Sequence, residues 1–434
     1  MRLVVAVVVV LAGCGDGVGA PDATPPSDAE MGLVRVRYRG GVLEDHPVFF
    51  QNVDGSLVLA TRTGVDGTAN TYMAPGGYVT LIDVKPSSHF LYTWAQVQPG
   101  DEVVVDDLEM GGIIPTTTIV LSIPAEPSSG FYDLRTSCGS ENVSAAAGAS
   151  LVVELGDCRG RTDMFVLAFG AGFHYLYAED VPVKNGSSVS LPPPYSVMER
   201  STVEVHNAPT SATSMDIRQQ LIGEGHSLTN PTVSGLGFAS LPVVAGTGTA
   251  NFDMPLPPPA TALTELAPFD GIGISRQHVA RWERTKATTV VDFGAITLRR
   301  YLTRPRYEVP SHSITWTEEP TGTVADAVIA SWSWYRPEIG GTYQWRIIAP
   351  RGAAPTVSFP VLPDSQYLPR EHDTVNPPFV LVNIAIDGGY ERLRTKLPSL
   401  WPVPNNTAWP AEAADGPAGE VVYQELAPEQ FPPD

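Results

Sequence analysis

Apolar and polar positions alternate from the first folded stretch of the chain. Val34, Val36 and Tyr38 are separated by Arg35 and Arg37 and followed by Arg39, the period-two pattern of a half-buried strand. His46-Pro47-Val48-Phe49-Phe50 starts a second strand, and Leu57 to Thr63 returns from it. Between them lies Asp54-Gly55, a tight-turn pair flanked by apolar runs, the strongest short hairpin signal. Asp66-Gly67 and Pro75-Gly76-Gly77 punctuate the next strands, and Pro99-Gly100-Asp101 leads into Val103-Val104-Val105. Residues 31–112 thus read as one compact β-module.

The same manner continues to the far end. In 113–200 the strands are Thr116 to Ile123, Phe131 to Arg135, Leu151 to Leu155 and Met164 to Phe169, closed by Ser188 to Leu191 and the stiff Pro192-Pro193-Pro194. In 201–305, Thr202 to Val205 and Thr289 to Val291 are strands, Ser234 to Gly248 reads as a loop, and Ile274 to Arg284 suits a helix or a strand. In 306–404, Val328, Ala330, Trp332 and Trp334 share one strand face, and Tyr343, Trp345 and Ile347 share another. The last stretch, 405–434, is rich in Pro, Ala and acid and is expected to be loose. Strands end in Leu191-Pro192, Leu256-Pro257 and Phe359-Pro360, an echo too irregular for a fixed-period array but compatible with diverged tandem sandwiches. Strands at short spacing without helical crossovers predict an all-β chain of tandem Greek-key β-sandwich modules.

Two resemblances add to this pattern. The run Thr61-Arg62-Thr63-Gly64-Val65-Asp66-Gly67-Thr68, followed by Ala74-Pro75-Gly76-Gly77-Tyr78-Val79, resembles the carboxypeptidase-regulatory-like (transthyretin-like) β-sandwich. That resemblance implies a seven-stranded Greek-key accessory module without catalytic residues. At the N-terminus, Arg2 precedes an apolar run from Leu3 to Leu11, too short for a membrane span of roughly 20 residues. Leu11-Ala12-Gly13-Cys14 resembles the lipobox of bacterial lipoproteins. The resemblance implies a signal peptide over 1–13, a lipid on the Cys14 thiol, and a flexible tether over 14–30. Several acyl chains on one residue would hold a protein to a membrane more firmly than a single chain. In lipoproteins an Asp directly after the Cys favours inner-membrane retention; here Gly15 follows Cys14 and Asp16 comes one later, so the resemblance implies the outer membrane in a cell that has one.

Charge then narrows the partners. The formal net charge of −20 lacks the basic footprint that nucleic-acid binding needs. With Cys14 assigned to lipid, Cys138 and Cys158 remain of the three Cys, and an oxidising compartment makes a disulfide their default.

A search for chemistry returns little. No Gly-x-Ser-x-Gly elbow occurs, the eight His are scattered without a metal-ligand spacing, and no catalytic, metal or cofactor site is expected. Asp101, Asp106 and Asp107 are candidate cation ligands, with a solvated strand edge as the commoner use of such a cluster. Tyr335 and Trp345 are candidates for stacking on a sugar ring, although alternating aromatics more often fill a sandwich core. The chain is therefore expected to be a lipid-anchored, non-catalytic binding or structural protein of the bacterial envelope. Its expected partners are the membrane through the lipid and an envelope polysaccharide or protein. The alternative is an envelope hydrolase or carbohydrate-active enzyme with accessory sandwiches.

Overall fold

In the computed structural model the described residues are 31–39, 44–106, 117–126, 131–141, 150–155, 158, 160–170, 172–223, 226–228, 237–257, 260–269, 277–296, 299–300, 302–308, 312–320, 322–370, 372–396 and 418–426. They form strands almost throughout, as the alternation predicts, with one α-helix at Gly389–Lys396. The expected signal peptide and tether, with Cys14, lie outside the described residues.

The strands fall into four sets that repeat one topology. The first set is Gly32–Arg39, Pro47–Gln51, Leu57–Arg62, Thr68–Met73, Gly77–Val84, Ser88–Val97 and Glu102–Asp106. Its fourth, first and seventh strands make a three-stranded sheet, and its third, second, fifth and sixth make a facing one. The first and seventh run parallel, with Val36 beside Val103. The second set, Thr117–Ser122 to Ser187–Ser190, repeats this order and its parallel closure, with Val120 beside Ser188. So does the third, Glu199–His206 to Thr288–Asp292, with Val203 beside Thr289. There the third-strand place is shared by His226–Ser227 and Phe238–Pro242, the latter inside the stretch expected to be a loop.

The fourth set is a variant. Ser313–Glu318 and Thr356–Ser358 form its small sheet, but Leu302–Glu308 takes the seventh-strand place and runs antiparallel. Its larger sheet holds Ala327–Arg336, Gly341–Pro350, Thr374–Ile386 and Ala418–Leu426. The last of these corrects the sequence expectation of a loose tail. Val421-Val422-Tyr423 is a short apolar run buried on both faces, and such a strand carries no alternation to betray it. The stretch from Ile274 to Arg284, suited to helix or strand, contains the strand His278–Arg284.

The larger sheets of the third, fourth and first sets are joined edge to edge. His278–Arg284 pairs antiparallel with Ala418–Leu426, setting Ala280 beside Val421. Gly341–Pro350 pairs parallel with Ser88–Val97, setting Trp345 beside Leu91. The result is one sheet of 13 strands. Along Ser88–Val97, Phe90, Tyr92 and Trp94 face the first module's own core with Val34, Val36 and Val103. Leu91 and Ala95 face the opposite way, into the fourth module's core with Trp332 and Trp345. Both faces of that strand are therefore buried, which fixes its register.

Candidate functional site

Several polar side chains that are withdrawn from water lie at the two joints of the long sheet. The helix Gly389–Lys396 connects two strands of the fourth module and lies across the sheet. Its Leu393 is fully buried in the core shared with the first module. Tyr390 Oη donates to Ala95 O at 2.5 Å and Ile348 O at 3.2 Å, one carbonyl on each side of the parallel joint. One turn later, Arg394 Nε stands 3.0 Å from Asp101 Oδ2, an ion pair with both side chains largely buried. On the other side, the Arg392 guanidinium lies 5.2 Å from the Trp282 ring of the third module. A single helix thus touches the modules on either side of its own.

The antiparallel joint holds a second polar group. Glu265, on Thr261–Phe269, is 4 % exposed, and Tyr423 Oη donates to its Oε1 at 3.4 Å. Its other oxygen, Oε2, has no hydrogen-bond partner among the described residues. Burial pushes the Glu265 carboxyl up to about 7 against the opposing pull of the Arg218 charge. His278 stacks on Tyr423 with ring centroids 4.9 Å apart. Burial and the Arg218 charge push the imidazole down to about 4, so it stays neutral at neutral pH. At this joint a carboxyl that is about half protonated at neutral pH, a neutral imidazole and a phenol meet between strands.

A third buried charge closes the end of the parallel joint. Arg336 is 1 % exposed. Its Nη2 lies 2.8 Å from Asp373 Oδ2, its Nη1 donates to Gln366 O and to Tyr343 Oη, and its Nη2 donates to Leu368 O. The Tyr343 ring stacks on Trp334 at 5.1 Å and meets His89 of the first module at 4.6 Å. These bonds satisfy a guanidinium that would otherwise be costly to bury.

The residues singled out from the sequence are placed as follows. Cys138 and Cys158 form a disulfide with Cα atoms 5.2 Å apart. Trp345 is fully buried, its Nε1 donating to Thr93 Oγ1 at 2.8 Å and its ring 5.1 Å from Phe359. Tyr335 is 39 % exposed and pairs with Thr342, whereas Trp345 pairs with Trp332. The two aromatics project from opposite faces of the sheet and share no stacking platform. Asp101 is engaged by Arg394 and by the backbone N–H of Gln98 at 2.7 Å, so its carboxylate closes a turn. Asp106 ends the strand Glu102–Asp106, its side chain is not described, and Asp107 lies outside the described residues. Among the described residues no three His, Cys, Asp or Glu side chains are grouped as metal ligands. No helix among them is long and apolar enough to cross a membrane.

Sequence reasoning missed Glu265, Tyr390, Arg394 and the pairing of Arg336 with Asp373. The first three act across a joint between modules and the last within the fourth module, and nothing local marks those roles. No family model and no curated protein matches the chain. Among solved structures, that of a streptococcal ancillary pilin is similar over 61% of this chain and 98% of its own, at 11% identity and a TM-score of 0.18. The Bacillus anthracis TIE protein is similar over 61% of this chain and 50% of its own, at 9% identity and a TM-score of 0.15. Likeness of that order assigns no activity to this chain.

Proposed function

We propose that this chain is a lipid-anchored, non-catalytic protein of the bacterial cell envelope that acts as a stiff structural or binding element. The observation that carries the reading is the pair of sheet joints bridged by Gly389–Lys396. Buried groups with shifted acidity or strong hydrogen-bonding power lie at these joints, where they bind one module to the next. A domain junction made this way resists bending, unlike the small polar interfaces of mobile domains. The first module, with its three-stranded sheet facing a four-stranded one, fits the transthyretin-like resemblance of its turns and is read as an accessory sandwich. The Cys14 lipid would hold this body at the outer membrane, with an envelope polysaccharide or protein as its partner.

The test is metabolic labelling with a clickable fatty acid in a bacterial host, followed by fractionation. The chain takes up label and pellets with membrane, and Cys14→Ala does neither. A variant that pellets equally without label overturns the lipid anchor. Release of soluble fragments from purified cell-wall polymer by the protein overturns the non-catalytic reading.

A further inference from the structure

The first module is polarised along its strands. Gly32–Arg39 enters at one end, and the turns 52–56, 74–76 and 98–101 lie at that same end. Apolar side chains crowd it: Met31 and Leu33 are 37 % exposed, Leu57 47 %, Tyr72 63 % and Val53 67 %. Leu33 and Tyr72 are partners across the ladder, and a Cβ on Gly76 would lie 3.9 Å from Val53. Of the two acids in these turns, Asp101 is paired with Arg394, which leaves Asp54. Charge collects at the opposite end, where Arg62 meets Asp45, Lys85 meets Asp83 and Asp66 caps its own turn. The second and third modules do not repeat the apolar row. Three residues before the buried parallel pairs Val36–Val103, Leu121–Val189 and Val203–Thr289 stand Leu33, Thr118 and Arg200. Their ladder partners are Tyr72, Glu154 and Asp253. The same row is thus apolar and aromatic in the first module and polar in the next two.

We infer that, given the Cys14 anchor of the proposed function, this end of the first module rests on the bilayer that holds the lipid, with Met31, Leu33, Val53 and Tyr72 in the interfacial layer. The position of the patch favours that occupant. Residues 15–30 alone separate Cys14 from Met31, and a segment of that length reaches at most about 60 Å. The bilayer is therefore always near this end of the module, whereas any other partner must arrive by diffusion. Tyrosine combines an apolar ring with a polar hydroxyl and suits the headgroup level. Arg35, exposed one row further in on the same face, reaches lipid phosphate while its stem covers apolar surface. So small a patch holds a free protein poorly. Tethering makes the contact intramolecular and lets weak groups suffice.

The test couples the chain from Cys14 onward, through its one free thiol, to phosphatidylcholine vesicles doped with a maleimide lipid. Lipid without net charge is chosen because a chain of formal charge −20 is repelled by an anionic surface. Hydroxyl-radical footprinting compares the coupled chain with the same chain capped at Cys14 and free in solution. Oxidation of Met31, Leu33 and Tyr72 is expected to fall several-fold on the vesicle, with Val152 and Tyr335 unchanged. Leu33→Thr with Tyr72→Thr keeps side chains that suit a strand, leaves the melting temperature unchanged and restores oxidation of Met31 and Val53. An unchanged footprint on the vesicle overturns the inference, as does protection that the double variant keeps. Protection that appears in the capped chain as its concentration rises also overturns it, because the patch is then a contact between copies. Label on Cys14 in cells with an unchanged footprint on vesicles removes the docking and spares the anchor. Protection on vesicles without label in cells upholds the docking surface and removes the anchor.

Discussion

Glu265 and His278 make the antiparallel joint sensitive to pH in opposite directions. The Glu265 carboxyl titrates near 7 in the folded chain and near 4.5 in the unfolded one. Folding therefore favours its protonated form, and stability is lost as pH rises from about 4.5 through 7, by about 3 kcal/mol once ionisation is complete. His278 titrates near 4 when folded and 6.5 when unfolded, so its contribution is lost as pH falls through that window. Glu265→Gln is expected to raise the unfolding midpoint at pH 8 and to leave it nearly unchanged at pH 4, as read by denaturant titration. An equal effect at both pH values would show that shape, not charge, is what the substitution changes. Arg394→Ala leaves Asp101 beside a largely buried void and is expected to destabilise the chain by about 3 kcal/mol in the same assay.

At the scale of elements, close approach decides what the joint tolerates. A Cβ on Gly419 would lie 2.2 Å from the Trp282 ring. Gly419→Ala must therefore push the indole or the strand aside, at a cost of about 1–3 kcal/mol. Thermal melts followed by Trp fluorescence should show the loss. The disulfide acts on a different unit. It joins residues 20 apart in the second module, and its removal by Cys138→Ser with Cys158→Ser is expected to cost about 3 kcal/mol there. Hydrogen exchange should rise in Phe131–Thr136 and Arg161–Phe169 before it rises in the long sheet.

The elements themselves were largely legible in the sequence. Asp54-Gly55, Asp66-Gly67 and Pro75-Gly76 mark turns, and each glycine has positive φ, at 83°, 73° and 90°. The alternation of Val34, Val36 and Tyr38 places the buried face of the first strand correctly. What stayed hidden is pairing at long range. Nothing near Tyr423 announces that it will lie beside His278, because that register is set by two surfaces meeting rather than by local pattern. Trp345 shows the same limit, since alternation predicts its face but not that a neighbouring module will cover it with Leu91. The candidate groups at the joints are isolated residues in sequence and become a site only in the assembled sheet.

At the scale of the whole molecule, the chain is not a string of independent beads. Three of its four modules continue one sheet, and the order of joining differs from the order of sequence. The fourth module sits between the third and the first, and its last strand, Ala418–Leu426, lies between His278–Arg284 and Thr374–Ile386. This arrangement places residues near the C-terminus in the interior of the body, in contact with strands formed far earlier in the chain. Rigidity follows, because bending at either joint must break ladder hydrogen bonds and expose the apolar faces that flank them.

The most direct test is hydrogen exchange of the intact chain, read at Val421 to Gln424. The joined sheet predicts that these amides exchange as slowly as those of His278–Arg284 and lose protection together with them as denaturant is added. Exchange within seconds under native conditions, at the rate of a loose tail, would contradict the joint and the stiff body built on it.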